Sequence, residues 1–352
     1  MKKETIALIE IGGSHDECLL TQFHALKSAN KRIFFITTQE IIDRNPSFSS
    51  YINELYVLEK NEQAKDFSTA RRIKKLLKKE NVAKVVLNTA HGKAARNLSL
   101  LCLFSKVKFF GILHTTIKLK GSFTQKIISC KVRNYFLLSQ HLYDKAQKIN
   151  KLCSGWFYPV RFDFDPIDFG SSEKITIVII GGVENRRKDL LGFVDLLENV
   201  HSDVNFIFLG KSDPQNEEVI AFKAKLKEKR LEKKVKLYDT FVSNEIFSKT
   251  VQSCDAILPL VHPNTPSAKE YFNRQISGAM TVAFGYKKPM LLHEAYQHIE
   301  EMQIASLYYS LSNFSSLVLE KEKMKEREKA MIGAKELQSE TQEKRYIEFL
   351  ER

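Results

Sequence analysis

Apolar and polar positions along the chain alternate between two kinds of segment. Short runs of apolar, often β-branched residues are typical of strands buried on both faces of a sheet. Between them lie segments with apolar residues at helical spacing, such as 67–80. This alternation predicts βα units and parallel sheets that are covered by helices. The strand-like runs of the first half are 5–11, 31–38, 54–59, 83–89, 106–113 and 134–139.

The pattern is interrupted once and then starts again. Residues 157–173 are rich in Pro, Asp and Ser, and strand-like runs return after them. We therefore predict an N-terminal domain at 1–160, a linker at 161–173, a second domain at 174–320 and a helical tail at 321–352. The strand-like runs of the second half are 174–181, 204–210, 234–240, 254–261, 280–286 and 289–292.

Length and composition agree with two folded domains. The chain has 352 residues, of which 43% are hydrophobic and 28% charged, as in soluble proteins. No apolar run approaches the ~20 residues of a membrane-spanning helix, and the N-terminus becomes polar too early for a signal peptide. The five cysteines lack the spacing of a zinc site or a disulfide framework. The expected location is the cytoplasm.

The positive charge of the chain is confined to its first half. Residues 1–160 contain 27 Lys and Arg against 12 Asp and Glu, a net charge of +15, whereas residues 161–352 carry −2. Such an asymmetry indicates that the first half faces an anionic partner, either a membrane surface, a nucleic acid or a phosphorylated acceptor. A solvated, lysine-rich surface is the alternative interpretation.

An anion site is predicted where the run 174–181 meets the helix after it. A buried strand, a glycine turn and a helix N-terminus bring free backbone N–H groups and the positive end of the helix dipole together. Three consecutive cations in the turn suit a ligand with more than one negative charge, such as a diphosphate. The residues expected there are Gly182, Arg186, Arg187 and Lys188.

Other candidates are placed by their position next to strands and helices. His114 follows a strand-like run and suits contact with sugar hydroxyls or with charge that develops during reaction. Ser277 and Gly278 suit the start of a second phosphate-binding helix. Gly12 and Gly13 follow the first strand, where backbone amides meet a ligand. Packing and ordinary helix capping are the alternatives for each of these residues.

Five segments resemble those of GT-B glycosyltransferases, and most closely the large nucleotide-sugar-dependent family four. The resemblance implies two Rossmann-like, doubly wound α/β domains that face across a cleft, with a terminal helix that packs back on the first domain. It also implies that Gly210 belongs to the donor-binding residues and that Lys188 is the phosphate lysine. The segments are IGGSHDECLLTQFHAL (11–26), KVKFFGILHTT (106–116), NYFLLSQHLYDKAQK (134–148), SGWFYPVRFDFDP (154–166) and GGVENRRKDLLGFVDLL (181–197).

The chain departs from this family at its paired glutamates. Members carry two glutamates eight positions apart before a Gly-Lys-Pro turn, but Arg274 and Val282 stand at those places here. Glu270 is the one acid nearby and is the second catalytic candidate beside His114. Asp163 and Asp165 form a D-x-D triplet, which holds a metal ion in GT-A enzymes. Because the triplet lies in the linker, we interpret these acids as turn residues and expect no metal site.

The predicted function is transfer of a sugar from a nucleotide-diphosphate sugar to a saccharide or lipid-linked saccharide in bacterial surface polysaccharide assembly, without a metal or other cofactor. A nucleotide-sugar epimerase is one alternative, although the sequence shows no convincing Asp/Glu/His set for it. A nucleic-acid-binding protein is another, but RNA- and DNA-reading motifs are lacking. Peripheral attachment to the inner membrane face would use the basic segment 71–79 and its apolar residues Ile73, Leu76 and Leu77.

Overall fold

The chain folds into two compact units. The first comprises Met1–Asp163 and Gln338–Arg352, and the second comprises Phe164–Leu337. The boundary between the units falls inside the predicted linker, of which residues 168–173 lie outside the described residues. The computed structural model describes residues 3–13, 15–59, 64–148, 151–167 and 174–352.

The first unit contains a seven-stranded parallel sheet. Its strand order is β3-β2-β1-β4-β5-β6-β7. Strands β2 and β3 therefore lie on one side of β1, and β4 to β7 lie on its other side. The strands are β1 (Thr5–Glu10), β2 (Arg32–Thr37), β3 (Glu54–Val57), β4 (Val82–Leu87), β5 (Lys108–Ile112), β6 (Val132–Leu137) and β7 (Cys153–Trp156). The helices are α1 (Leu19–Ser28), α2 (Gln39–Arg44), α3 (Phe67–Lys79), α4 (Gly92–Leu101), α5 (Phe123–Lys131) and α6 (Gln140–Gln147).

Burial on both faces explains why these strands are nearly continuous apolar runs. Every residue of β1 is buried, and Ala7 and Ile9 pack into a core formed with α3, α4 and α5. On α3, Ile73 and Leu77 are buried in this core and Leu76 packs against it. The apolar stripe of segment 71–79 therefore covers the sheet of its own unit, which is the common fate of an amphipathic helix.

The second unit repeats the architecture with six parallel strands in the order β10-β9-β8-β11-β12-β13. The strands are β8 (Ile175–Ile180), β9 (Val204–Lys211), β10 (Val235–Tyr238), β11 (Ala256–Ile257), β12 (Met290–His293) and β13 (Ser306–Tyr309). The helices are α7 (Leu190–Leu197), α8 (Glu217–Glu228), α9 (Asn244–Ser253), α10 (Ala268–Asn273), α11 (Gly278–Tyr286), α12 (Glu300–Gln303), α13 (Phe314–Leu317) and α14 (Lys321–Gly333).

Two segments differ from the sequence-based prediction. Residues 280–286, predicted as a strand, lie in helix α11, because a short apolar run gives no periodicity that separates a buried helix from a buried strand. The tail forms two helices rather than one. Helix α14 belongs to the second unit and buries Met324 in its core, whereas α15 (Ser339–Leu350) packs on α1 and β7 of the first unit. Extended backbone at Ala334 separates them.

Among the described residues, no helix is at once long enough and apolar enough to cross a membrane.

Candidate functional site

The topology of each sheet marks one edge as the place for a ligand. In doubly wound sheets, ligands bind beyond the carboxyl ends of the strands, where neighbouring strands lead to opposite sides. In the first unit this point lies between β1 and β4, and in the second between β8 and β11. The glycine pairs after β1 and β8, which the sequence singled out, lie at these two points.

A buried carboxylate organises the edge of the first sheet. Glu10, the last residue of β1, is fully buried and accepts hydrogen bonds from Gly12 N (2.7 Å), Asn88 Nδ2 (2.8 Å) and Thr89 Oγ1 (2.6 Å). Burial raises the pKa of Glu10, although these three hydrogen bonds oppose the shift. The Gly12 amide, predicted to meet a ligand, is therefore already occupied by the chain itself. Gly13 adopts a left-handed backbone, and its carbonyl accepts a hydrogen bond from Arg44.

Asn88 connects this carboxylate to the rest of the edge. Its Nδ2 also donates to His15 O (2.9 Å), its Oδ1 accepts from Gln22 Nε2 (2.7 Å), and its backbone carbonyl lies 2.8 Å from His114 Nε2. Because Asn88 is fully buried, each of these bonds forms away from water, where an unpaired partner would be costly. Asn88 thus holds the loop after β1 through its side chain and the histidine after β5 through its backbone carbonyl.

His114 lies beside a second histidine that the sequence analysis did not single out. The rings of His15 and His114 are stacked with centroids 3.6 Å apart. Burial lowers the pKa of His114 well below its usual value, so the imidazole is neutral at pH 7. The Asn88 carbonyl accepts from Nε2–H, which leaves the lone pair on Nδ1. Burial also acts to lower the pKa of His15, but the hydrogen bond and charge of Glu17 raise it overall.

The two histidines and Glu17 form a group that could hold a metal ion. One ligand atom from each residue lies within 4.8 Å of the other two, and all three side chains are half-buried. Asp163 and Asp165 of the D-x-D triplet are exposed and are not among the metal-capable groups of the described residues. A small cavity of about 50 Å³ lies close by and is lined by residues that include Glu10, Gly12, Thr89 and His91.

The glycine turn of the second unit depends on a close approach of two backbones. Gly181 has φ of +94°, which only glycine adopts readily. A Cβ at Gly210 would lie 2.4 Å from the carbonyl carbon of Gly181. Gly210 therefore lets strand β9 pack against the turn, and its contact with the donor stays a prediction. Gly182 remains at the strand edge, where the sequence analysis expected it.

The three consecutive cations have different environments. Arg186 and Arg187 are more than half exposed and both pair with Glu184, at 3.7 Å and 2.9 Å. Lys188 is buried, and its ammonium group donates to the Gly182 carbonyl at 2.9 Å. Burial lowers the pKa of Lys188 to about 8, although the charge of Glu184 opposes the shift. The turn thus presents two surface guanidinium groups and one desolvated ammonium group.

Helix α7 does not offer the open N-terminus that the sequence suggested. Asp189 caps it, with Oδ1 accepting from Gly192 N at 2.9 Å, so a carboxylate already lies at the positive end of the helix. Helix α11 is different. Ser277 caps it through a longer bond to Ala279 N (3.3 Å), and the space beside Gly278 is open. The structure thus leaves space beside the start of α11, and phosphate binding by Ser277 and Gly278 stays a prediction.

A buried polar network supports the cationic turn. His262 is buried, with Nδ1 2.8 Å from Asp189 Oδ2 and Nε2 2.6 Å from the Tyr309 hydroxyl. The hydrogen bond from His262 is the main cause that lowers the pKa of Asp189. Ser267 N also donates to Arg186 O at 3.1 Å. The loop that follows β11 therefore fixes both ends of the segment from Arg186 to Asp189.

Glu270, the second catalytic candidate, lies on α10 next to this turn. Its carboxylate pairs with Arg274 at 3.3 Å. Arg274 stands where members of family four carry one of their paired glutamates, and here it neutralises the charge of Glu270. The neighbouring Tyr271 lies within electrostatic reach of Arg186 and Arg187. The structure thus brings Glu270 to the edge of the second unit, but as one half of a half-exposed ion pair.

The sequence analysis missed the residues that hold both edges together. Glu10 and Asn88 come at or directly after the carboxyl ends of buried strands, and His262 follows β11 within a run of apolar residues. A polar residue at the end of a buried strand is a recognisable signal. The side-chain partners of these residues cannot be recognised in this way, since they lie 47 to 79 residues away in the chain.

Comparison with solved structures identifies the architecture. A glycosyltransferase from Rickettsia africae is 14% identical, with a TM-score of 0.70 over 100% of this chain and 99% of that chain. HepE from Anabaena, solved in complex with UDP, is 11% identical, with a TM-score of 0.71 over 99% of both chains. The chain has the GT-B fold. The fold class expected from the sequence, two doubly wound α/β units, is thereby confirmed.

The GT-B fold is also found in an epimerase similar to this chain. A UDP-N-acetylglucosamine 2-epimerase from Listeria monocytogenes, designated putative, is 9% identical, with a TM-score of 0.65 over 99% of this chain and 96% of that chain. No protein-family model matches the sequence, and no curated protein is similar to it. These similarities show the GT-B fold, and they do not single out family four.

We predict that Asn88 contributes more stability than an ordinary hydrogen-bonding side chain. Replacing Asn88 by Ala leaves the buried Glu10 carboxylate without one of its donors, so the free energy of unfolding should fall by about 2–4 kcal/mol. Asn53→Ala, which removes one bond to Ile33 N, should cost about 1 kcal/mol. Urea unfolding of both variants measures the difference. Equal losses would contradict the role assigned to Asn88.

Proposed function

We propose that this chain transfers a sugar from a nucleotide-diphosphate sugar to a saccharide acceptor. The observation that carries the proposal is that a buried ammonium group and an open helix N-terminus both lie at the carboxyl edge of the second sheet. Lys188 and the start of α11 supply positive charge and free amides to a diphosphate. UDP is the first nucleotide to test, because HepE was solved with UDP and with UDP-glucose.

In this proposal the second unit binds the donor without a metal ion. Lys188 and the amides of α11 stabilise the charge that grows on the diphosphate as the sugar leaves. Arg186 and Arg187 exchange part of their contact with Glu184 for phosphate oxygens, which accept two parallel N–H bonds from a guanidinium group. Glu270 is assigned to the sugar, where its carboxylate can accept hydrogen bonds from hydroxyl groups.

The first unit supplies the acceptor half of the reaction. His114 is neutral, and its Nδ1 lone pair is available to take the proton of an acceptor hydroxyl as the new glycosidic bond forms. Asn88 fixes the ring through Nε2, so the ring does not need to reorient during the reaction. The buried Glu10 carboxylate accepts a hydrogen bond from Asn88 and so helps to position Asn88 and the His114 ring that faces the acceptor.

Binding of UDP is predicted to depend on the protonation of Lys188. The pKa of Lys188 in the free protein is about 8, and the diphosphate binds the protonated form. As pH rises above 8, binding must take up a proton, so the dissociation constant should increase by up to about tenfold per pH unit. Lys188→Arg stays charged and should remove this dependence, whereas Lys188→Ala should weaken binding by about 1–3 kcal/mol.

Calorimetry with UDP from pH 7 to pH 9.5 measures these differences. Lys225→Ala is the matched control, because Lys225 is paired with Glu228 on the exposed surface of α8 in the same unit. Binding of UDP that is unchanged in Lys188→Ala, or equally pH-dependent in Lys188→Arg, would overturn the donor assignment.

Epimerisation of a nucleotide sugar is the second candidate function. It is favoured by the cluster of acid and base groups at the edge of the first sheet, which includes Glu10, His15, Glu17 and His114. An epimerase needs groups of this kind to remove a proton from the sugar and return one. The sequence analysis found no such set, because His114 follows β5 and is distant in the chain from the other three, which lie at or after the end of β1.

Product analysis is expected to separate the two reactions. Incubation with UDP-glucose or UDP-N-acetylglucosamine should release UDP only when a saccharide acceptor is added, and NMR should show a new glycosidic linkage. His114→Ala should lower this rate by about 10²–10⁴-fold, the usual contribution of a general base. An intact nucleotide sugar with inverted configuration at one carbon, formed without acceptor, would establish epimerisation instead.

The acceptor is proposed to be a lipid-linked saccharide of surface polysaccharide assembly. The apolar side chains of segment 71–79 pack into the core of their own unit. The loop between β5 and α5, together with the start of α5, offers another surface next to His114. Ile117 and Phe123 are 41% and 78% exposed there. The lysines around them are Lys118, Lys120 and Lys126. Exposed apolar side chains among lysines suit the interface of an anionic bilayer.

Membrane attachment is predicted to require Phe123. The parent protein should co-sediment with vesicles that contain anionic lipid, and salt should weaken this binding. Phe123→Ser removes about 1.5–3 kcal/mol of apolar burial and should lower the bound fraction about tenfold or more. Phe241→Ser, at a 68% exposed phenylalanine of the second unit, is the control and should bind like the parent. Equal binding of Phe123→Ser would refute this surface.

A further inference from the structure

We propose that His15, Glu17 and His114 bind a transition-metal ion at the carboxyl edge of the first sheet, and that Zn²⁺ fits this donor set. One ligand atom from each residue lies within 4.8 Å of the other two. The side chains of His15 and Glu17 are 34% and 35% exposed, so an ion from solvent reaches them. The site lies wholly within the first unit.

The spacing of His15 and Glu17 already matches a bound metal. Nδ1 of His15 and Oε1 of Glu17 are 3.3 Å apart. Two ligands of a tetrahedral zinc ion at about 2.0–2.1 Å are separated by about 3.4 Å. A zinc ion can therefore bridge these two atoms in place of their hydrogen bond.

His114 offers the third ligand in a fixed tautomer. Because the two imidazole rings are stacked nearly parallel, the partly exposed His15 ring must turn about its side-chain bonds before both lone pairs reach one ion. Its Nε2–H donates to the Asn88 carbonyl at 2.8 Å, so the lone pair is on Nδ1. A metal-bound histidine commonly donates its other N–H to a carbonyl or carboxylate in this way.

The backbone holds His15 in a conformation that brings it to this cluster. His15 has φ of 66° and ψ of 26°, a left-handed conformation that is unfavourable for a residue other than glycine. Asn88 Nδ2 holds the His15 carbonyl at 2.9 Å. Strain of this kind occurs at functional sites where the surrounding structure compensates for it.

The charges around the cluster favour a cation. Glu10, Asp16 and Glu17 all lie close enough to His15 to raise its pKa. Asp16 is itself paired with Arg44 at 3.1 Å, whereas the buried Glu10 is bonded to neutral groups. A divalent ion would thus enter a field in which carboxylates predominate.

The donor set selects zinc or cobalt over magnesium. Two imidazole nitrogens and one carboxylate oxygen are typical of catalytic zinc sites, which keep one further position open. Magnesium prefers oxygen ligands and retains its waters. The proposed ion therefore differs from the magnesium or manganese that would carry a diphosphate, and it leaves the donor half of the proposed function without a metal.

The consequence for activity rests on the proposed function. A zinc ion on Nδ1 of His114 removes the lone pair that would take the proton of the acceptor hydroxyl. Zinc should therefore inhibit sugar transfer reversibly, and a chelator should restore it.

Cobalt provides a direct test because its visible spectrum reports coordination. The full-length protein, treated with chelator and then titrated with Co²⁺ in the absence of nucleotide, should develop the intense bands of a four- or five-coordinate ion at one equivalent. Zn²⁺ should displace the cobalt and abolish the bands. His15→Ala and Glu17→Gln should each weaken cobalt binding by at least tenfold.

The control separates this site from scattered surface histidines. His201→Ala removes an exposed histidine of the second unit that pairs with Asp203, and it should bind cobalt like the parent. Circular dichroism of each variant checks that it is folded. Weak bands of a six-coordinate ion, or equal binding by all folded variants, would overturn the metal site.

The activity measurement distinguishes failure of this inference from failure of the proposed function. If transfer is observed, the zinc concentration for half inhibition should be at least tenfold higher in Glu17→Gln than in the parent. Equal inhibition of the two proteins would refute the link between this site and His114. If no transfer is observed, the proposed function fails, but the cobalt spectra still decide whether the metal site exists.

Discussion

The hydrogen bonds that solvate the buried Glu10 carboxylate constrain the first unit more than any other contact described above. A carboxylate at the end of a fully buried strand must be solvated by the protein itself, and Gly12, Asn88 and Thr89 do this. These hydrogen bonds belong to a longer network. Gln22 Nε2 donates to Asn88 Oδ1, and the Tyr346 hydroxyl of helix α15 donates to Gln22 Oε1 at 3.0 Å. A polar chain therefore runs from the terminal helix to the histidines, and packing of α15 supports their geometry.

The second unit meets the same constraint with other residues. Its sheet also ends in a buried polar group, His262, which Asp189 and Tyr309 satisfy on either side. Because Asp189 serves both as this partner and as the cap of α7, the first helix after the glycine turn has a carboxylate at its positive end. In the proposed function the anion-binding role then falls to α11, where the space beside Gly278 is open. One local requirement for hydrogen bonding thus decides which helix terminus is available to a ligand.

The two edges consequently differ in chemistry although their topology is alike. The edge of the first unit gathers imidazoles and carboxylates, which move protons or bind metals. The edge of the second gathers cations and free amides, which bind phosphate. The proposed division into an acceptor half and a donor half follows from this difference. The net charge of each half does not indicate this difference, since residues 1–160 carry +15 and residues 161–352 carry −2.

The sequence by itself determined the two doubly wound units, because nearly continuous apolar runs separated by amphipathic helices are stable only as parallel sheets covered on both faces. It also determined that the glycine turns and His114 come directly after strands. Only the tertiary structure decided that residues 280–286 are helical, that Gly210 serves packing, and that Gly12 N is occupied by Glu10. It alone paired Asn88 with Glu10 and His15 with His114. The reason is that a strand end is specified by local pattern, whereas the partners of a buried polar group come from other strands, and their identity depends on the order in which the sheet assembles them.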